Sequence, residues 1–430
     1  CGMQKCRMIR SALRKNSGSG NCGRKKIRGI CRSMIRYLNQ EEKKRAIPLW
    51  NEAFPEDAEP FLDYYFTEKT KDNRILVCEK EGEIVSMLHR NPYSIFMRGD
   101  VKTCDYIVAV ATKISERHKG HMRSLLLNML RDMQEERMPF TFLMPAAEAI
   151  YRPYDFRYIY DQCMQEVKKD ETADDRNRES EPQKEGTLEF SDAGLWDAEE
   201  MADFFEEHFS DSWQVYAQRD TAYYQTMILE QQSEKGGVRL MRENGVLKGF
   251  YAYALEEGLE VREPLYLNQF EGEFERSMQM LLDKSNIRKA DQNENRVQQS
   301  LRIYAPLNKK SCKMRSMIMA RIVCLPEFLK AMIVDETETL ECSFAVLDSI
   351  LYKNSCVWKL TSVQGEKEIH VQETEDSQGV FPIADLTEYL FGRIDLEELR
   401  EREGVICTAE LGEELEKIEK LTRVYFNEVV

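Results

Sequence analysis

The sequence predicts a chain of α/β and α+β class, built as three folded units in series. Three observations carry that reading. Between Tyr106 and Met144 an apolar β-branched run, a basic turn with one glycine, an amphipathic run and a second apolar run follow one another, the order of a βαβ-like module. Val238–Arg242 and Leu247–Ala254 flank Glu243-Asn244-Gly245 as a hairpin, with no comparable basic turn after it. Beyond Leu325, short alternating runs precede apolar helical ones, the texture of an α+β unit. A length of 430 residues exceeds what one core usually supports, and 42% hydrophobic with 10% aromatic residues is ample for several.

Taken in order, residues 1–33 hold ten Lys and Arg and no acid, and read as a disordered basic extension. Charge alone also allows a nucleic-acid or membrane arm. The first unit spans 34–167. Residues 41–69 are helical, with Ala46, Leu49, Trp50, Ala53 and Phe54 on one face and a break at Pro55. Asn73–Lys80 and Ile84–Leu88 form a hairpin about Glu81-Gly82, and Tyr93–Met97 and Val101–Ala111 are further strands. After Gly120, residues Met122, Leu125, Leu126, Met129, Leu130 and Met133 recur at helical spacing, and Pro139–Met144 closes the module as a strand. A polar linker, 168–186, has almost no apolar residue. The second unit, 187–322, opens with helices at Ala193–Phe209 and Thr221–Gln232 before its hairpin. In the third, 323–430, strands at Leu340–Asp348, Ser355–Val363 and Glu368–Gln372 precede helices at Pro382–Phe391 and Glu410–Val424.

The chemistry points to the turn Arg117-His118-Lys119-Gly120-His121-Met122. A helix start leaves backbone N–H groups without partners and carries partial positive charge, while glycine keeps no side chain between backbone and anion. On these residues alone the turn fits either an anion site or an ordinary strand-to-helix turn with solvated cations. Its position after Val110-Ala111-Thr112 resembles the pyrophosphate-binding turn of the GNAT acyl-CoA N-acetyltransferases. The string Ile150-Tyr151-Arg152-Pro153-Tyr154-Asp155-Phe156-Arg157-Tyr158 is similar to a segment of the enhanced-intracellular-survival (Eis) branch of that family. Ile114 stands where a proline is usual, and His121-Met122 replaces the common small pair.

That resemblance implies tandem GNAT folds, the second degenerate, followed by a sterol-carrier-protein-like domain. It implies acetyl-CoA as co-substrate, with pantetheine against Val110, Ala111 and Thr112 and pyrophosphate on Arg117, His118, Lys119, Gly120, His121 and Met122. Tyr151 falls where the family places its general acid, and a phenol stays protonated at neutral pH. The family's base is the C-terminal carboxylate, which here belongs to Val430, and the apolar tail VYFNEVV fits a docked terminus. Phe54-Pro55-Glu56-Asp57 resembles the substrate-lining loop, so Glu56 and Asp57 can hold a cationic substrate, or be solvated loop. The resemblance also implies a homo-oligomer, a hexamer.

The net charge is −15, which leaves about −25 on the chain after the basic extension. Such a body disfavours nucleic acid and favours cationic partners. Twelve cysteines without CxxC pairs suit reduced thiols in a cytoplasm, the five histidines form no metal spacing, and no apolar run approaches a membrane span. The expectation is therefore a cytoplasmic, metal-free, acetyl-CoA-dependent N-acetyltransferase acting on a primary amine of a cationic small molecule of aminoglycoside or polyamine type. Acetylation of peptide lysine or N-terminal amines, and a non-catalytic acyl-CoA- or lipid-binding protein, are the alternatives.

Overall fold

The computed structural model describes residues 34–168, 188–255, 259–291, 300–307 and 312–428. The basic extension 1–33, all but the first residue of the linker 168–186, and Val430 lie outside the described residues.

The first unit supplies strands β1 (Met34–Tyr37), β2 (Arg74–Lys80), β3 (Glu83–Met97), β4 (Asp100–Thr112), β5 (Phe140–Leu143) and β6 (Arg157–Lys168). Then follow β7 (Leu188–Asp192), β8 (Val215–Ala217), β9 (Gly237–Glu243), β10 (Val246–Ala254), β11 (Glu260–Tyr266), β12 (Ser300–Tyr304) and β13 (Lys313–Ile322). One 14-stranded sheet takes the order β1-β2-β3-β4-β5-β13-β6-β12-β11-β10-β9-β7, with a short strand, β8, on β3 and, on β8, a fourteenth from the C-terminal tail. The first unit's sheet is thus completed from outside: β13 comes back from the far side of the second unit and lies antiparallel to both β5 and β6. The stretch 260–322, which patterning left unassigned, also carries the helix Glu271–Asp291.

Both predicted hairpins turn on two successive left-handed residues, Glu81 and Gly82 (φ 55° and 83°) and Asn244 and Gly245 (φ 51° and 80°). That geometry matches the twist of the flanking strands. The runs Ile84–Leu88 and Tyr93–Met97 are one strand, continuous through Pro92. Proline is tolerated there because β2 stops pairing at Arg90 and β8 starts at Ile95, so no ladder hydrogen bond is asked of it on that edge.

The helix His121–Glu135 packs Leu125, Leu126, Met129, Leu130 and Met133 against one face of the sheet, all fully buried. Five such side chains are worth on the order of 10 kcal/mol before chain entropy is set against them. On the opposite face lie the helices Ile47–Ala53 and Glu59–Thr67, with Trp50, Phe61, Tyr65 and Phe66 in the core and Pro55 in the break between them.

The third unit has its own sheet from β14 (Leu340–Leu347), β15 (Val357–Ser362), β16 (His370–Thr374), β17 (Gly379–Pro382) and β18 (Ile406–Cys407), ordered β16-β15-β14-β17-β18. The helix Ile383–Leu390 forms as expected. The expected helix Glu410–Val424 does not: it runs only Ala409–Glu416. Ile418, Leu421 and Val424 are buried, but from extended chain that bridges Val334 and donates to the Leu390 carbonyl. The tail then becomes β19 (Val424–Tyr425), parallel to β8. Helical spacing of apolar residues was satisfied equally well by a strand-like course between two units, and tertiary packing chose it.

The expectation of unpaired thiols needs a second correction. Cys163 on β6 and Cys312 just before β13 are joined as a disulfide, with Cα atoms 5.6 Å apart. A sequence separation of 149 hid the pair, because it depends on β13 returning to β6. Six other described cysteines are free.

Candidate active site

The site begins where the sheet opens. β4 and β5 are parallel but share only the pair Tyr106–Phe142, so beyond Tyr106 the β5-facing edge of β4 has no strand partner among the described residues. At that point β4 is bulged: its register against β3 slips between Met87 and His89, and Ala109 takes a left-handed φ of 50°. Val110, Ala111 and Thr112 follow the bulge. Ser86 Oγ donates to the Ala111 carbonyl at 2.8 Å and lies 2.8 Å from Thr112 Oγ1, which holds this end of β4 onto β3.

The basic turn comes next. Gly120 is the residue before the helix, at φ 83°, and a Cβ there would meet nothing within 4 Å. No side chain caps this helix, so its first N–H groups are not satisfied by the usual Ser, Thr or Asp oxygen. The cations around it are only partly free. Arg117 Nε donates to the Thr112 carbonyl at 3.2 Å, folding the exposed guanidinium back over the strand end. Lys119 bonds the Ser115 carbonyl at 2.9 Å and pairs with Glu116 at 3.1 Å. His121 sits between Cys78 Sγ at 3.3 Å and Glu116 at 3.2 Å, while His118 is exposed at φ 61°. Glu116 was not singled out by sequence reading, although it stands inside the basic run. Lys80, Lys119 and His121 together hold its carboxyl down at about 2, so it stays anionic and absorbs part of the turn's charge.

Tyr151 ends the short helix Glu148–Tyr151 and is 6% exposed. It belongs to the same apolar cluster as the His121–Glu135 helix, against which Val110 and Met122 also pack, and its ring meets Phe156 edge-on at 6.0 Å. Its hydroxyl has no hydrogen-bond partner among the described residues, and burial alone pushes its pKa up to about 12. Val110 at the strand end, Met122 at the start of the helix and Tyr151 thus share one apolar cluster.

The acidic loop does not join them. Glu56 is exposed, and Asp57 accepts the Trp50 indole N–H at 2.6 Å. Asp57 lines a separate groove of about 520 Å³ with Phe54, Leu62 and Phe66. Glu52, one turn earlier, accepts from the Ile114 amide at 2.7 Å and so ties that helix to the end of β4.

The tail approaches from the other side. Phe426 stacks on Phe142 at 4.6 Å, at the pair where β4 and β5 part. Asn427 is bonded by Gln162 at 2.6 Å and donates to Glu263 at 3.0 Å. Glu428 pairs with Arg219 at 3.0 Å and accepts from Tyr223 at 3.1 Å. Arg219 also pairs with Glu263 at 3.1 Å and lies between the Tyr223 and Tyr425 rings, 4.7 Å from each. All three charges are buried, and desolvation raises the Glu428 carboxyl above its ordinary pKa despite the guanidinium beside it.

The family model of the acetyltransferase (GNAT) domain matches residues 34–159, and that of the sterol carrier protein domain matches residues 325–427. No curated protein matches the chain by sequence. Among solved structures, a conserved protein from Enterococcus faecalis V583 described as a probable N-acyltransferase is 18% identical, with a TM-score of 0.74 over 92% of this chain and 100% of that one. A GCN5-related N-acetyltransferase from Anabaena variabilis is 16% identical, with a TM-score of 0.67 over 90% and 97%. Eis1 from Mycobacterium abscessus is 12% identical, with a TM-score of 0.62 over 92% and 99%. At these identities the likeness is one of fold, and it runs through all three units. Residues 34–159 are thus a GNAT acetyltransferase domain and residues 325–427 a sterol carrier protein domain.

Proposed function

We propose that this protein moves an acetyl group from acetyl-CoA to a primary amine of a cationic small molecule, with Tyr151 as general acid and the C-terminal carboxylate of Val430 as base. GNAT domains use acetyl-CoA as co-substrate, and the residues here suit it. The uncapped, glycine-entered helix start can receive the pyrophosphate, and the unpaired edge of β4 after the bulge can pair with pantetheine amides. In the transfer the amine nitrogen bonds the thioester carbonyl carbon, the carbon–sulfur bond breaks, the thiolate takes the Tyr151 proton, and the base takes the proton leaving the nitrogen.

The observation that carries this reading is Tyr151, a buried residue whose hydroxyl has no hydrogen-bond partner among the described residues, in the apolar cluster against which Val110 and Met122 pack. A phenol with a raised pKa remains a proton donor across the neutral and alkaline range in which amines become nucleophilic. Docking of the tail as far as Glu428 supports Val430 as base, since two further residues reach at most about 7 Å. We place the protein in the cytoplasm, as a homo-oligomer; no helix among the described residues is long and apolar enough to cross a membrane.

Release of free CoA over an amine panel tests the activity. Tyr151→Phe should lower kcat by about 10²–10⁴ with unchanged acetyl-CoA affinity. Full turnover in that variant would remove Tyr151 from the mechanism.

A further inference from the structure

The Tyr151 hydroxyl has no hydrogen-bond partner among the described residues, so the place of its phenol depends on the backbone that carries it and on the packing around it. That backbone is slight. Tyr151 ends a helix of four residues, and the chain continues through one tight turn, Arg152–Tyr154, to Asp155 at a left-handed φ of 66°. A helix this short is not stable by itself.

Two guanidinium groups grip the turn. Arg321, fully buried on β13, donates from Nε to the Tyr154 carbonyl at 2.9 Å, and its Nη2 lies 3.5 Å from the Asp155 carboxylate. Arg157, on β6, donates to the Arg152 carbonyl at 3.3 Å. Each is answered by a carboxylate of the sterol carrier protein domain. Glu388, on the helix Ile383–Leu390, stands 4.0 Å from Arg157. Asp348 is held closer: 4% exposed, it accepts from Arg321 Nη2 at 2.8 Å. It also accepts from the Ile350 and Leu351 amides at 3.0 and 2.7 Å and from Asn354 at 2.9 Å. Ile350 and Leu351 in turn enter the apolar cluster that contains Tyr151 and Phe156. One buried carboxylate thus fixes both the cation on the Tyr154 carbonyl and the loop whose side chains reach that cluster. A guanidinium fork bonded in this way sets direction as well as distance.

We propose that Arg321 and Asp348 are positioning residues for Tyr151, through which the sterol carrier protein domain fixes the turn that carries the general acid. The inference rests on Tyr151 as general acid, and its test lets the two fail separately.

CoA release with an amine of the panel is followed in the full-length protein. Arg321→Lys keeps the charge but cannot span Tyr154 and Asp348 together, and Asp348→Asn keeps the shape and removes the charge. Each should lower kcat about tenfold or more and leave acetyl-CoA affinity and amine KM within about twofold of wild type, because a displaced proton donor costs rate rather than binding. In a Tyr151→Phe background neither should lower kcat further, since a donor already removed cannot be misplaced. Lys353→Ala, exposed in the same loop, should behave as wild type. Should both buried variants unfold, Asp155→Asn, which suits the same left-handed φ and loosens the Arg321 grip, takes their place. A crystal structure of Asp348→Asn should show the Tyr151 ring displaced or in two conformers, which decides the matter even where no panel amine is turned over. The inference is overturned if the folded variants keep wild-type kcat, if their losses multiply with that of Tyr151→Phe, if acetyl-CoA affinity falls along with kcat, or if the Tyr151 ring of Asp348→Asn superposes on that of the wild type. Full turnover in Tyr151→Phe removes the general acid and this role with it. A slow Tyr151→Phe beside fast Arg321→Lys and Asp348→Asn removes only this inference.

Discussion

Substituting Gly120 separates the two contributions this turn makes, one conformational and one electrostatic. Gly120 sits at φ 83°, where a side chain costs about 1–2 kcal/mol, with Asp near the lower end. A Cβ there meets nothing within 4 Å, so no clash adds to that cost. Gly120→Ala should therefore lose about 1 kcal/mol of folding stability and little affinity for acetyl-CoA. Gly120→Asp suffers similar strain but sets a carboxylate at the helix start. Two unit charges about 5 Å apart at an effective dielectric near 20 repel by about 3 kcal/mol. The new carboxylate also competes for the N–H groups that would hold a phosphate. The Kd for acetyl-CoA should rise by roughly 100-fold or more, at about 1.4 kcal/mol per tenfold. Adding Arg117→Ala should extend the loss, since that guanidinium already folds over the Thr112 carbonyl beside the turn. Isothermal titration at low salt measures the affinity and thermal melting the stability. Wild-type affinity in a folded Gly120→Asp protein would refute the assignment of the pyrophosphate to this turn.

Appending a short polar peptide after Val430 should reduce turnover about 10²–10⁴-fold and leave acetyl-CoA binding intact; an extended enzyme with full turnover would show that the base lies elsewhere. Arg219→Met removes the partner of Glu263 and Glu428, and urea denaturation at neutral pH should register a loss of about 3–5 kcal/mol. That loss should shrink as pH falls, because a carboxyl that has taken up a proton no longer needs the guanidinium, and the Glu428 pKa is already raised by burial. Light scattering at micromolar concentration should return a multiple of 50.5 kDa; a mass near 50.5 kDa would count against any oligomer.

Much of the first unit was legible because its signals are local. The period of the Met122–Met133 run, the glycine that ends the basic turn, and the Glu81-Gly82 and Asn244-Gly245 hairpins each depend on a few neighbouring residues, and the chain does what they dictate. Val110, Met122 and Tyr151 share one apolar cluster around the helix that this order of strand, turn and helix predicts. The charge balance of the turn was not legible, since Glu116 meets Lys80 across 36 residues and Cys78 reaches His121 across 43.

What the sequence by itself determined is the helix Met122–Met133, the two Gly-containing hairpins and the place of the basic turn between strand and helix. Tertiary structure alone decided how the units share material. β13 enters the first sheet from beyond residue 312, Cys163 finds Cys312, and the tail leaves its helix at Glu416 to run as extended chain to β8 and Phe142. Each is a pairing between segments more than a hundred residues apart. Apolar residues at 418, 421 and 424 satisfy a helix face and a buried extended course equally, and only the surfaces they meet distinguish the two.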